Sequence, residues 1–416
     1  MADDLGPGRP RRRVSPNVVA VLVLAALGAG LLVWQQPWAD GGAATSAVPA
    51  DAAAALTTQF ADLSAARTES DFVRAAGAGP AAAAFGAATW QARRDMGADQ
   101  VSFRYLSGGD SAEFANGDTR AKVEIRWPQS NGGDGRGNVQ VRMRPQDDGT
   151  FDIVSASRGS GPLPVWLAGA VVIEGTDDIQ VVRIDGGDVD VDVESLAATA
   201  RREVAALVPT MTSSTLTIVS APSADVAGAL LGQATDVVSQ IAAVSTGFDM
   251  RNGDLAGPVV VLNPGVFDAM DARATQVVMT HEATHVLTGA IGLRADTWVI
   301  EGFADYVALR DDDAPLSVSA GQILTQVRAD GPPKSLPTAA AFDEAAYGLG
   351  AVYEAAWMVF RMLGEDFDTP QVVAFYRSVL DGDPVEDASQ SAFGLSVRQI
   401  TSRWQDYLTK SASTVS

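Results

Sequence analysis

Apolar residues set three rhythms along the chain. Residues 18–34 (VVAVLVLAALGAGLLVW) are apolar without interruption and uncharged, the short end of the length that spans a bilayer as a helix. Residues 36–50 are small and contain Pro and Gly, the composition of a linker. From Ala52 to about Arg67 apolar positions recur at helical spacing, with Leu56, Phe60 and Leu63 on one face. More helix is predicted around 70–76 and 81–95. The period then falls to two, in Val101-Ser-Phe103-Arg-Tyr105, Ala121-Lys-Val123-Glu-Ile125-Arg-Trp127 and Val139-Gln-Val141-Arg-Met143. Phe151-Asp-Ile153-Val154 closes the set, and Gly-rich turns separate its members. Helices followed by an antiparallel sheet predict a small α+β domain over 51–162.

The segment Leu163-Pro-Val-Trp166-Leu reads as a junction. Beyond it the pattern predicts a hairpin over 170–184, a helix over 194–207, and strands at 216–219 and 259–262. From Phe267 onward almost everything is helical. The expected fold class is therefore α+β: a membrane helix, a small α+β domain, then a mainly helical domain over 163–412 with a small sheet at its start.

The flanks of the apolar run orient it. Arg9, Arg11, Arg12 and Arg13 precede it and no such cluster follows. The excess of positive charge on the cytoplasmic side of membrane helices then predicts a cytoplasmic tail at 1–16, an anchor at 17–35 and the remainder outside the cell. Trp34 and Trp38 suit the far interface. A cleaved signal peptide fits less well, because no small-x-small site follows closely. The expected location is the cell membrane, crossed once.

Composition removes several chemistries. Thirty basic and 51 acidic residues give a net charge of −21, which argues against nucleic acid as a partner. The chain has no cysteine. Disulfides, thiolate zinc sites, iron–sulfur clusters and Cys nucleophiles are excluded. Any histidine chemistry falls to His281 and His285, since there are only two histidines.

Those two lie in VVMTHEATHVLTG, residues 277–289, an H-E-x-x-H pattern. Two histidines placed at random in a chain of this length fall four apart with odds of roughly 1 in 200. On a helix, positions four apart project from one face, so both imidazoles can bind one Zn²⁺. Glu282 is offset by one residue and can take a proton from a water at the metal. A third ligand is expected downstream, where residues 298–309 read WVIEGFADYVAL. Glu301 begins a second helical stretch, and a carboxylate from a neighbouring antiparallel helix completes a His₂Glu site. Asp305, one turn later, is placed to accept the free N–H of a zinc-binding imidazole. Trp298 and Phe303 read as core contacts. The run Arg310-Asp-Asp-Asp313 reads as a solvated loop.

The pair HEATH…WVIEGFADYV resembles the gluzincin metallopeptidases, and especially the aminopeptidase and leukotriene-hydrolase branch. Tyr353-Glu-Ala-Ala-Trp resembles that branch's Tyr-Glu-Lys-Gly-Ala helix, whose leading Tyr stabilises the transition-state oxyanion. The resemblance gives that role to Tyr353, with Tyr347 as second choice. Residues 165–412, about 60% of the chain, look like the peptidase-MA-like domains of membrane-anchored actinobacterial proteins. In this clan a strand before the zinc helix lines the cleft and pairs with the substrate backbone, which makes Val260 and Val261, within Val259–Leu262, the expected substrate-binding residues. No Gly-x-Met-Glu-Asn segment precedes the motif, so the carboxylate that holds a free amino terminus in the aminopeptidases has no counterpart. The element order of 51–162 resembles a nuclear transport factor 2-like cone.

The expected protein is a membrane-anchored, extracytoplasmic zinc metallopeptidase acting on a peptide or protein substrate. Its metal ligands are His281, His285 and Glu301, and its catalytic residues Glu282 and Tyr353. The rivals are a non-catalytic binding protein with a structural zinc, and a zinc hydrolase of a non-protein amide such as a cell-wall peptide.

Overall fold

Alternation and capping account for the elements of the first unit. The computed structural model describes residues 50–98, 100–108, 117–128, 134–248, 257–344 and 348–415. The expected anchor, its basic flank and nearly all of the linker lie outside these, as does Tyr347. Among the described residues no helix is long and apolar enough to cross a membrane. Helices α1 (Ala50–Ala65), α2 (Glu69–Ala76) and α3 (Pro80–Asp95) come first. Thr68 caps α2 by accepting from the Asp71 N–H, and Pro80 starts α3 where its missing N–H costs nothing. Strands β1 (Ser102–Gly108), β2 (Thr119–Pro128), β3 (Asp134–Pro145) and β4 (Phe151–Arg158) follow as an antiparallel meander. The alternation puts Phe103, Val123, Ile125, Val139 and Val141 against Leu56, Phe60 and Phe72, all buried.

The second unit is built on a five-stranded mixed sheet in the order β5-β6-β7-β9-β8. Its strands are β5 (Val171–Gly175), β6 (Ile179–Ile184), β7 (Leu216–Ser220), β8 (Ala243–Phe248) and β9 (Gly257–Leu262). Strands β6, β7 and β9 run parallel, and β5 and β8 close the two edges antiparallel. Helix α4 (Val193–Leu207) links β6 to β7, and α5 (Ala224–Leu231) follows β7. The rest is helical: α6 (Ala272–Thr288), α7 (Thr297–Ala308), α8 (Gly321–Asp330), α9 (Leu349–Asp366), α10 (Thr369–Leu380), α11 (Val385–Phe393) and α12 (Val397–Thr414). The whole is mixed α and β with two sheets.

The junction predicted at Leu163 is buried between the units. Trp166 meets the Phe103 ring edge-on at 6.2 Å, and the Leu163 N–H donates to the Ala229 carbonyl. Helix α6 is buried on every side from Val277 to Thr288, packed between α4, α7 and the β8–β9 end of the sheet. Asp271 caps its start, and Gly289 ends it in the left-handed conformation at φ +74°.

Two expectations need correction. Strand β9, which carries Val260 and Val261, is internal: it pairs with β7 on one side and β8 on the other. Its backbone groups are spent in the sheet, so it cannot pair with a substrate. Among the described strands, the outer edge beside α6 belongs to β8. The acidic run after α7 is not simply solvated either. Asp312 takes a bidentate contact from Arg273 and a bond from Ser319, tying the start of α6 to the following turn.

Candidate metal centre

The two histidines sit one turn apart on α6 with their rings edge-on, centroids 4.7 Å apart. Nε2 of His281 lies 3.0 Å from Nε2 of His285. Helix α7 crosses this face and brings Glu301, whose Oε2 lies 3.2 Å from His281 Nε2 and whose Oε1 lies 3.6 Å from His285 Nε2. The three side chains form one buried group able to hold a metal ion. Asp305 Oδ1 accepts from Nδ1 of His281 at 2.8 Å. That bond leaves the lone pair of His281 on Nε2, facing the other two ligands.

Gly302, next to Glu301, sets how closely the third element approaches. A Cβ there would stand 2.6 Å from the backbone oxygen of Ala356 on α9. Only glycine lets α7 and α9 cross so tightly. The crossing carries Tyr353 of α9 to the cluster, close enough for the Glu301, Asp305 and Glu282 carboxylates to act on its hydroxyl. The ring is fully buried and meets Phe342 edge-on at 5.1 Å. On the far side of the cluster, the Ser245 N–H of β8 donates to Glu282 Oε2 at 2.7 Å.

Burial governs the electrostatics. None of His281, Glu282, His285, Glu301, Asp305 and Tyr353 is more than 6% exposed. Burial pushes the Glu282 carboxyl upward against the opposing pull of the two imidazoles. Burial would also raise Glu301, but His285 and His281 hold it down to about 2. Burial alone would lower His281; the carboxylates of Asp305 and Glu301 outweigh it and raise the imidazole well above its usual range. Burial, then the negative charge of Glu301, Asp305 and Glu282, drives Tyr353 well above a normal phenol. A site that favours a proton so strongly favours a cation of higher charge. Nδ1 of His285 is buried without a partner among the described residues.

The sequence-predicted residues His281, Glu282, His285, Glu301, Asp305 and Tyr353 thus converge, while Val260 and Val261 do not face the cluster as an edge. Trp298 and Phe303 are core: Phe303 stacks on Tyr376 at 3.8 Å and Trp298 packs on Phe360 and Phe375. Ser245, Gly302, Phe342 and Glu354 were not assigned roles by the sequence. Glu354 is buried and caps α8, accepting from the Ile323 N–H at 2.7 Å and from Gln322 Nε2 at 3.3 Å. Its only sequence signal was an acid beside Tyr353, on an otherwise apolar helix face.

No protein family, no curated protein and no solved structure matches this chain.

Proposed function

We propose that the chain is a zinc-dependent metallopeptidase of the gluzincin type, with the helical unit a zincin-like catalytic domain. The observation that carries the reading is the placing of Glu282 beside the His281, His285 and Glu301 group. A general-base carboxylate has no use at a purely structural metal. Ligand atoms about 2.0–2.1 Å from a tetrahedral zinc lie roughly 3.3 Å from one another. The separations of 3.0, 3.2 and 3.6 Å between the nitrogen and oxygen atoms here fit that spacing. Zinc, when bound, supplies the Lewis acidity that makes water a nucleophile near neutral pH.

The chain's own residues do the rest. Asp305 fixes the His281 tautomer and ring orientation. Glu282 accepts a proton from the attacking water and returns it to the leaving amine. Tyr353 directs its O–H toward the oxygen that gains charge at the peptide carbonyl. The outer edge of β8, beyond the Ser245 N–H that Glu282 takes, offers backbone groups to an extended substrate. Residues 51–162, a nuclear transport factor 2-like cone in this reading, space the catalytic unit from an anchor at 17–35, with that unit outside the cell.

The test is zinc analysis of purified protein together with a peptide-library digest, comparing wild type with Glu282→Gln. Stoichiometric zinc in both and cleavage in wild type alone is expected. Equal cleavage by the two ends the peptidase reading, and a wild type that neither carries nor takes up zinc ends the metal reading. Cleavage of cell-wall peptides but of no protein-derived peptide selects the rival hydrolase.

A further inference from the structure

Charge is divided unevenly between the two units. Residues 163–416 hold 34 acidic and 14 basic side chains, a formal charge of −20, whereas residues 51–162 hold 14 and 12. Within the first unit the helices cover one face of the sheet. The alternation that sends Val123, Ile125 and Val139 inward sends the cations to the other face.

Among the described residues there, several cations share each carboxylate. Arg104, Arg126 and Arg136 converge on the single carboxylate of Glu124, and Arg142 and Arg144 on that of Asp118. Lys122 lies between the two groups on β2. The register sets Arg126 directly opposite Arg136, and Arg120 opposite Arg142. Like charges facing each other across a strand pair destabilise it. The Arg126–Arg136 pair shares the one carboxylate of Glu124, an arrangement suited to an anion laid across the sheet. At the β1 edge, Arg104 and Arg126 flank an open groove of about 670 Å³ that also takes in Ser64 and Ser102.

On the reading of residues 18–34 as an anchor, a membrane lies within a linker's length of the first unit. Residues 35–49 separate the apolar run from α1. Fifteen residues reach at most about 50 Å fully extended and about 20 Å as a flexible coil. The first unit is therefore held at the surface. Fields there decay over a Debye length of about 8 Å, so the face presented at contact decides the orientation. The acidic unit is repelled by an anionic surface and the arginine face attracted.

We propose that the outer face of the first sheet docks on the anionic phospholipid headgroups of the membrane that anchors the chain, which holds the acidic catalytic unit away from the bilayer. The proposal rests on the reading of residues 18–34 as an anchor and not on the metal centre.

The absence of cysteine makes the test clean. Full-length protein carrying Ser157→Cys, exposed on the sheet, is labelled and inserted in nanodiscs that contain a headgroup acceptor, with or without phosphatidylglycerol. Energy transfer should rise about twofold or more in the anionic discs. High salt should abolish the rise, and so should the double substitution Arg104→Gln and Arg136→Gln, which changes two exposed side chains. A label at Ser413→Cys in the acidic unit should show no rise. Equal transfer in neutral and anionic discs, or a rise insensitive to salt, overturns the proposal. Binding of a soluble polyanion without docking on the discs overturns it in favour of a different partner. Failure of the chain to enter discs at all overturns the anchor, and the docking with it.

Discussion

The backbone N–H of Ser245 donates to Oε2 of Glu282 across 2.7 Å. The bond leaves the sheet: Ser245 is paired in register with Val260, yet its N–H points outward from the β8 edge to the carboxylate. It holds one oxygen of the proposed base and leaves the other for a proton. Proline is tolerated in an edge strand where the N–H faces away from the ladder. Ser245→Pro is therefore expected to cost no more than about 1–2 kcal/mol of stability, while kcat falls about tenfold or more. Denaturation and steady-state kinetics on one preparation separate the two. A kcat unchanged by the substitution means the bond does not position Glu282.

Gly302 makes a sharper structural prediction. The atoms a Cβ would strike belong to the helix backbone of Ala356, which has no rotamer to yield. Gly302→Ala should push α7 from α9, destabilise the fold by about 1–3 kcal/mol and weaken metal retention through Glu301. Gly321, at the start of α8, has nothing near its added Cβ. Gly321→Ala should be neutral or stabilising by up to about 1 kcal/mol. Calorimetry of the two variants decides between a steric requirement at 302 and a general intolerance of alanine.

The Asp305–His281 bond predicts a metal effect with little structural change. Asp305→Asn keeps the shape and loses the charge that favours the cation. Zinc affinity should drop about 10- to 100-fold, read by competition with a chromophoric chelator. His281→Ala should remove binding altogether. Equal affinities for wild type and Asp305→Asn would show that the carboxylate does not orient the ligand.

Glu354 gives a pH dependence. Burial pushes its carboxyl up to about 8, from an ordinary 4.5, against the bonds it accepts from Ile323 and Gln322. Between those values the folded chain keeps a proton that the unfolded chain has released. Stability is therefore lost as pH rises through this window. Glu354→Gln cannot ionise and removes the dependence. From pH 5.5 to 8.5 wild type should lose on the order of 3 kcal/mol relative to the variant, measured by urea unfolding at both pH values. Parallel profiles would place the carboxyl of Glu354 in its normal range.

How much of this was legible depended on whether the signal was local. The helices α1 to α4 and the strands with alternating patterns fall within a few residues of their predicted spans, because capping and period are encoded in neighbours. HEATH and Glu301 were readable because ligand spacing on a helix is fixed by helix geometry. Strand β8 was not readable. Ala243-Val-Ser-Thr-Gly-Phe248 has no clean alternation, and what makes it a strand is pairing with β9, whose position in the sheet comes from β7 some 40 residues back. Without β8, the strand carrying Val260 and Val261 read as the one before the zinc helix that could line a cleft, although it is internal. Helix α5 escaped for a related reason: its Ala- and Leu-rich sequence shows little polar face from which to read a period. Gly302 was visible as a letter, but its purpose is a contact with a residue 54 positions away.

The burial of the six cluster side chains has a kinetic consequence. A substrate with a backbone of its own cannot reach Glu282 or Tyr353 while Phe342 lies against one side of the cluster and β8 against the other. In the proposed peptidase, each cycle would begin by parting these elements. The turnover number of such an enzyme would not exceed the frequency of that opening, however fast the bond-breaking step. Solvent viscosity and amide exchange at Ser245, rather than the chemistry of the scissile bond, would report the ceiling.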